Sequence, residues 1–430
     1  MADLSFPLDK PLSSLGIKSR LLHLNGMLHA VRKWKDPQAD KAIHLLVKDN
    51  IGVAGFPTSA GSYVLKDLEL PDAFCIQILR NPNIDFFGKT HLTELAGFVT
   101  SNVLPYGYSE LGGFGRNPHG NFPCGGSSSG SAIAVAAGFC DAALGTETRG
   151  SLMIPGFRNG VFSFKPSRGL VSRTGIIPLS SSFDAPGVLA RNPEILREVF
   201  LFMVGVDPED DQPFELTKTE SSFSRKRIVF CVNRKLGEME MLQTKLHPFL
   251  SQLKLKGFEI AFIDLPEVVF DYKTISSADI RSDMTCFLQR FGSDNEPRSF
   301  EELVERYRER PHAHLYGMER LEDALAMPQI TKPDLKKLVQ ENVAKARNLI
   351  DDILAHYDAD FVGFLNFVDW FSIGGGPSCT LPVSFETKPP ISIMLGARVG
   401  NDLAILHLVK ELSEIAKAAQ HVEKLGNKAE

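Results

Sequence analysis

Gly125-Gly126-Ser127-Ser128-Ser129-Gly130-Ser131 runs directly into Ala132-Ile133-Ala134-Val135-Ala136-Ala137-Gly138-Phe139-Cys140, and then into Asp141-Ala142-Ala143-Leu144-Gly145-Thr146-Glu147-Thr148-Arg149-Gly150-Ser151. Glycine and serine clusters mark loops. The residues from Ser131 to Gly138 are small and apolar, which predicts a tightly packed buried helix. Asp141 to Thr146 reads as a short strand, and Gly145 to Gly156 returns to loop. A loop, a buried helix, a strand and a second loop in under fifty residues belong to an α/β architecture.

The flanks continue the alternation. Apolar residues at Leu15, Leu21, Leu22, Leu24, Leu28 and Val31 predict an amphipathic helix over Ser14 to Trp34. Ile43 to Val47 predicts a buried strand that delivers Lys48-Asp49-Asn50 to its end, and Ile84 to Phe87 predicts another. A helix is expected through Leu92, Leu95 and Ala96. Ser101 to Gly130 reads as loop, and Val161 to Phe164 as strand. Further strands are expected at Arg227–Val232, Glu259–Ile263, Asp360–Leu365 and Ile391–Leu395. Ala278 to Ala355 reads as mostly helical with a break near Pro311, and Leu403 to Leu425 as a closing helix. The fold class is therefore α/β, with a mixed, mostly parallel sheet and helices on both faces. No internal repeat, linker or domain boundary stands out, so residues 1–430 are expected to form one domain.

Composition excludes several classes. The chain has 430 residues, 43% hydrophobic and 23% charged, and a net charge of -5 from 47 basic and 52 acidic residues. The signs are interspersed, so no basic face for nucleic acid or an anionic membrane is expected. The six cysteines are scattered without metal-ligand spacing, and buried thiols in a reducing compartment are expected. Cys124, beside the glycine/serine loop, is the one to weigh as a nucleophile. The first residues lack the basic and apolar regions of a signal peptide, and the apolar run Ala132 to Cys140 is too short for a span, so a cytoplasmic location is expected.

Three chemistries fit a glycine/serine loop. Gly126-Ser127-Ser128-Ser129-Gly130 has the form of a nucleophile elbow, but no later acid and histidine partner it convincingly: His312 and His314 fall in a charged helical region and His407 in an amphipathic helix. A phosphate loop needs a lysine after its last glycine, and this stretch has none. There remains a serine activated by a lysine. A hydroxyl needs a base, and a lysine serves only when burial favours its neutral form. Lys48, at the end of an apolar strand, is placed for that.

At this point the segments resemble the amidase signature family. They include Val47 to Ile51, Val53 to Ser62, Gly88-Lys89-Thr90 with Glu94, Asn117-Pro118, and the stretch from Gly125 through Ser131. Gly150-Ser151 follows, with Ser151 lying 24 residues after Ser127. Phe164 to Gly169, Ser181 to Asp184, Gly187, Gly375 to Ser378 and Leu381-Pro382 continue the series. The resemblance is strong over about 43–205, thin over about 206–359, and returns in the closing elements at about 360–425. It implies a Ser-Ser-Lys triad: Ser151 as nucleophile, Ser127 as the bridging serine on a cis peptide bond, and Lys48 as base. The backbone N–H groups of Thr148, Arg149, Gly150 and Ser151 are the implied oxyanion hole, with Ser128 and Asp184 as supports. The implied reaction is hydrolysis of a non-peptide or small linear amide through a Ser151 acyl-enzyme, without metal or organic cofactor. Alternatives are interception of the acyl-enzyme by an amine, in amide formation or transamidation, and a non-catalytic binding protein on the same fold. A small-molecule amide is the expected partner, with homodimerisation common in the family.

The sequence also departs from the family pattern. Glu147 stands where an aspartate is usual, Arg149 where a glycine is usual, and Met153 where an arginine is usual. Arg149 is expected either to contact an anionic or carbonyl-rich part of the substrate or to face solvent. His44-Leu45-Leu46-Val47 replaces a Gly-Ile-Pro-Val segment, and Tyr108 to Gly115 resembles an insertion at the pocket mouth. The pocket itself is expected from the divergent half, roughly Pro266 to Phe371.

Overall fold

The computed structural model describes residues 3–100, 105–210, 225–310, 315–385 and 387–426, with side chains to 420. The break expected near Pro311, together with His312 and His314, lies outside the described residues. The strands in chain order are β1 (Val31–Trp34), β2 (Ile43–Lys48), β3 (Ile84–Thr90), β4 (Tyr108–Ser109), β5 (Gly113–Phe114), β6 (Ala142–Glu147) and β7 (Phe162–Lys165). They continue as β8 (Ala185–Ala190), β9 (Arg227–Val232), β10 (Glu259–Asp264), β11 (Phe361–Phe364), β12 (Ser378–Ser384) and β13 (Ile391–Gly396). Eleven of them form one sheet in the order β1-β3-β2-β6-β8-β7-β12-β13-β11-β9-β10, and β4 and β5 form a separate hairpin.

The sheet is mixed, as expected, but parallel pairing is confined to two groups: β3-β2-β6 on one side and β11-β9-β10 on the other. The strands between them pair antiparallel. The reason lies in the connections. Parallel neighbours need a crossover, usually helical, whereas β7 and β8 are joined by a non-helical segment that lets the chain reverse. β2, β3, β6, β7 and β12 are buried along their whole length, which is why they read as apolar runs rather than alternating ones.

Three local differences from expectation have clear causes. The first helix stops at Leu28 and β1 begins at Val31. Asn25 ends it: its Oδ1 accepts from the N–H of Ala30 and Val31 and its Nδ2 donates to the Val31 carbonyl, while His29 adopts φ 50. No regular helix forms through Leu92 to Ala96. Leu95 and Ala96 take φ 45 and 55, and Leu95 N–H donates to the Ala60 carbonyl instead. β12 sits mid-sheet despite Pro382, which has no N–H to give a ladder; the register shifts between Pro382 and Ser384.

The expected buried helix is Ser129–Ala136, with every residue buried. It lies close enough to the chain that a Cβ on Gly130 would stand 2.4 Å from the carbonyl oxygens of Ala30 and His91. That contact is why a glycine opens the helix.

Candidate active site

β2 and β6 run side by side and parallel, with Val47 opposite Leu144, so their carboxyl ends emerge together. Ligands in open α/β sheets gather at such ends. β2 delivers Lys48, and β6 delivers Thr146 and Glu147. The loop before the buried helix closes over both.

Lys48 is fully buried, and its Nζ donates to Ser127 Oγ at 2.8 Å and to Thr146 Oγ1 at 2.9 Å. Burial lowers its pKa to about 7; Asp184 and Glu147 oppose this from a distance. Near neutrality, then, a large fraction of Lys48 carries no charge. Two other lysines, Lys89 and Lys165, are equally buried and lowered to about 8, chiefly by desolvation. Their amines serve structure: Lys89 donates to Thr58 Oγ1 and the Ile51 carbonyl, and Lys165 to the carbonyls of Pro166 and Gly376.

The Gly126–Ser127 peptide bond is cis. Around it the loop is pinned from several sides. Thr93 N–H donates to the Ser127 carbonyl at 3.0 Å, and Ser128 Oγ donates to the Thr146 carbonyl at 3.1 Å. Ser128 N–H donates to the Ser151 carbonyl at 3.1 Å, which ties the first loop to the second. Ser127 and Ser151 are both buried, at 2% and 8% exposure.

The second loop is held by two carboxylates. Glu147 Oε2 accepts from the N–H groups of Leu152 and Met153 at 2.8 and 3.0 Å, and its Oε1 accepts from Ser372 Oγ at 2.7 Å. Asp184 accepts the Thr148 hydroxyl and the N–H groups of Leu179 and Ser180. Gly150 turns the chain with φ 84, and a Cβ there would stand 2.8 Å from the Phe367 ring. Among the described residues, the backbone N–H groups of Arg149, Gly150 and Ser151 have no acceptor. A run of free N–H groups at a tight turn is a ready anion site.

The structure brings Lys48 and Ser127 into direct contact and places Ser151 on the adjoining loop. Arg149 points away from that cluster: its Nε donates to Asp369 Oδ2 at 2.8 Å, and its guanidinium lies 5.0 Å over the Tyr272 ring. Arg149 is not left-handed, so no strain attends an arginine in this place. Cys124 is buried, its thiol pushed up to about 12 by desolvation, with Sγ against the carbonyls of Tyr106 and Gly115. That is a structural thiol rather than a nucleophile. Among the described residues Cys286 is the exposed cysteine.

Two positions in contact with this cluster escaped the sequence reading. Thr146 shares the lysine amine with Ser127, and Asn50 Nδ2 donates to the same Thr146 hydroxyl at 3.0 Å. Both lay within quoted motifs; their contact depends on the β2–β6 pairing. A cavity of about 230 Å³ reaches Asn50, Thr146, Thr148 and Asp184, with Asp283, Cys286 and Phe287 across from them. The divergent half therefore does line a cavity at this site. No group of histidine, cysteine and acidic side chains among the described residues is arranged to hold a metal ion.

The sheet order and the lysine-serine contact define an amidase-type α/β protein. The family model for amidases matches residues 41–362, and the chain belongs to the amidase signature family. The match runs through the segment where the sequence resemblance is thin. The glutamyl-tRNA(Gln) amidotransferase A subunit of Salinibacter ruber is 41% identical over 185 residues, covering 43% of this chain and 35% of that protein. Its counterpart of the same name in Campylobacter concisus is 32% identical over 276 residues, covering 61% of this chain and 59% of that protein. The chain thus spans less than two thirds of the length of these curated relatives. Among solved structures, PAM12A is 25% identical with a TM-score of 0.85, covering 94% of each chain. An amidase family protein from Bacillus anthracis is 25% identical with a TM-score of 0.83, covering 95% of this chain and 89% of that one. Among the described residues, no helix is long and apolar enough to cross a membrane.

Proposed function

We propose that the protein cleaves the C–N bond of a small linear amide through a Ser151 acyl-enzyme, with Lys48, Ser127 and Ser151 as its catalytic residues. The observation that carries this reading is the buried Lys48 amine, lowered to about 7, on the Ser127 hydroxyl. Neutral Lys48 accepts the Ser127 proton while Ser127 accepts that of Ser151. Ser151 Oγ bonds to the carbonyl carbon, and the oxyanion is received by the N–H groups of Thr148, Arg149, Gly150 and Ser151. The C–N bond then breaks as the relay returns a proton to the leaving nitrogen. Water adds through the same relay and releases the acid. Preorganised donors of this kind are each worth about 3–4 kcal/mol in the transition state.

The test is covalent labelling with a fluorophosphonate, in which Ser151 Oγ displaces fluoride from phosphorus. Labelling mapped to Ser151 supports the reading, and folded protein that stays unlabelled favours a binding role instead. A second reading, transfer of the acyl group to an amine, draws on the amidotransferases among the relatives. It predicts an amide product when hydroxylamine is supplied, formed faster than the acid.

A further inference from the structure

We propose that the cavity beside Thr146 receives a protonated primary amine, with Asp283 as its acceptor, and that the substrates are amides carrying that amine on a short alkyl stem. This rests on the acyl-enzyme reading above and adds the substrate class to it.

The cavity of about 230 Å³ begins next to the base. At its buried end stands Asn50, whose Nδ2 donates to Thr146 Oγ1 at 3.0 Å; the same hydroxyl takes the Lys48 amine at 2.9 Å. Two hydrogen bonds therefore separate this end from Lys48. Asn50 is 3% exposed, and its Oδ1 has no hydrogen-bond partner. A buried amide oxygen without a donor is costly, so this end calls for an N–H from whatever fills the cavity.

The opposite wall is the helix Tyr272–Phe291, which brings Asp283, Cys286, Phe287 and Arg290 to the cavity at helical spacing. Asp283 Oδ2 accepts the Ser181 N–H at 2.7 Å. Burial, and then the charge of Asp279, push the Asp283 carboxyl up to about 7. Among the described residues no lysine or arginine stands within ion-pair distance of Asp283 or of Asp184 beside it. The two arginines of the lining have carboxylates of their own: Arg173 pairs with Asp210 and Arg290 with Glu209.

The polar groups left open are thus acceptors, an amide oxygen at one end and carboxyls without a counter-charge at the other. The walls between them are apolar, from Ile176, Ile177, Pro178, Leu179 and Phe291. An ammonium on a hydrocarbon stem matches all three features: methylenes meet the walls, the ammonium meets Asp283, and the amide N–H meets Asn50. The volume holds about seven water-sized groups, which keeps the stem short.

The test compares 4-aminobutanamide, 5-aminopentanamide and 6-aminohexanamide with pentanamide, hexanamide and heptanamide, in which a methyl replaces the ammonium. Two rates are read by mass spectrometry: alkylation of Cys286, whose thiol displaces iodide from iodoacetamide, and fluorophosphonate labelling of Ser151. Cys286 is exposed and lines the cavity, so an occupant shields it whether or not Ser151 reacts. In the native protein at least one aminoamide should halve both rates at a concentration about tenfold below that of its methyl partner. Asp283→Asn keeps the shape and removes a buried charge, and should shrink that preference to about twofold or less; if it does not fold, Asp283→Ser is read in its place. The proposal is overturned if no aminoamide outcompetes its partner, if the preference survives loss of the carboxylate, or if Cys286 is shielded while Ser151 is not. Unlabelled Ser151 in folded native protein sinks the acyl-enzyme reading and the substrate class with it, whereas labelling without preference for the amine sinks this inference alone.

Discussion

Lys48 Nζ donates to Ser127 Oγ at 2.8 Å, and among the described residues no carboxylate stands within ion-pair distance of that amine. A carboxylate there would hold the lysine charged. Its absence, with full burial, lets desolvation dominate.

The first prediction follows from that contact. The protonated amine cannot accept the Ser127 proton, so kcat/KM should be lost as pH falls through about 7 and reach a plateau above it. Lys48→Ala and Lys48→Arg should each lower kcat about 10²–10⁴-fold, because one removes the base and the other keeps a charge that does not titrate. A pH–rate profile on any cleaved amide reads both.

The two serines should separate kinetically. Ser151→Ala should abolish fluorophosphonate labelling, because the remaining hydroxyls of Ser127 and Thr146 are engaged with the Lys48 amine and lie off the loop whose N–H groups receive the oxyanion. Ser127→Ala should label more slowly by about 10²-fold or more, because Ser151 survives without its relay. Intact mass spectrometry against time distinguishes a lost site from a slow one.

Gly150 has no substitute. Its φ of 84 and the Phe367 ring 2.8 Å from a built Cβ both oppose a side chain. Gly150→Ala should cost about 1–2 kcal/mol from the backbone alone, more with the clash, and should slow labelling of Ser151. Urea unfolding and labelling rate are the two readouts.

Glu94 predicts a pH dependence of stability. Burial pushes its carboxyl up from 4.5 to about 8, and Tyr307 Oη lies 2.6 Å from both Glu94 Oε1 and Ser62 Oγ. With its carboxyl kept protonated by burial, Glu94 can donate to Tyr307, which donates on to Ser62, and all three groups are satisfied. Between those two values the folded state holds a proton that the unfolded state has released. This contribution is therefore complete below 4.5 and is lost as pH rises through about 8. Glu94→Gln should flatten the fall in unfolding free energy over that window, measured by urea titration at several pH values.

Much of this was legible in the order of residues. The loop, buried helix and strand from Gly125 to Thr146 were readable because small apolar residues and glycines leave few conformational choices. Lys48, Ser127 and Ser151 were nameable because their motifs recur in one order. The end of the first helix at Leu28 was not, because the deciding hydrogen bonds come from one side chain, Asn25, competing with a continuous apolar stripe. β12 was missed because its proline speaks against a central strand, and its place depends on pairing with β7 and β13.

Sequence alone therefore determined which groups are available: a lysine at a strand end, serines in glycine-rich loops, and an arginine before Ser151. Only the tertiary structure decided what each can do. Parallel pairing of β2 with β6 puts the lysine amine between Ser127 and Thr146, in a fully buried place where its charge is unfavourable. Asp369 and Tyr272, more than a hundred residues further along the chain, turn Arg149 outward. Basicity and orientation depend on burial and on distant neighbours, and local sequence encodes neither.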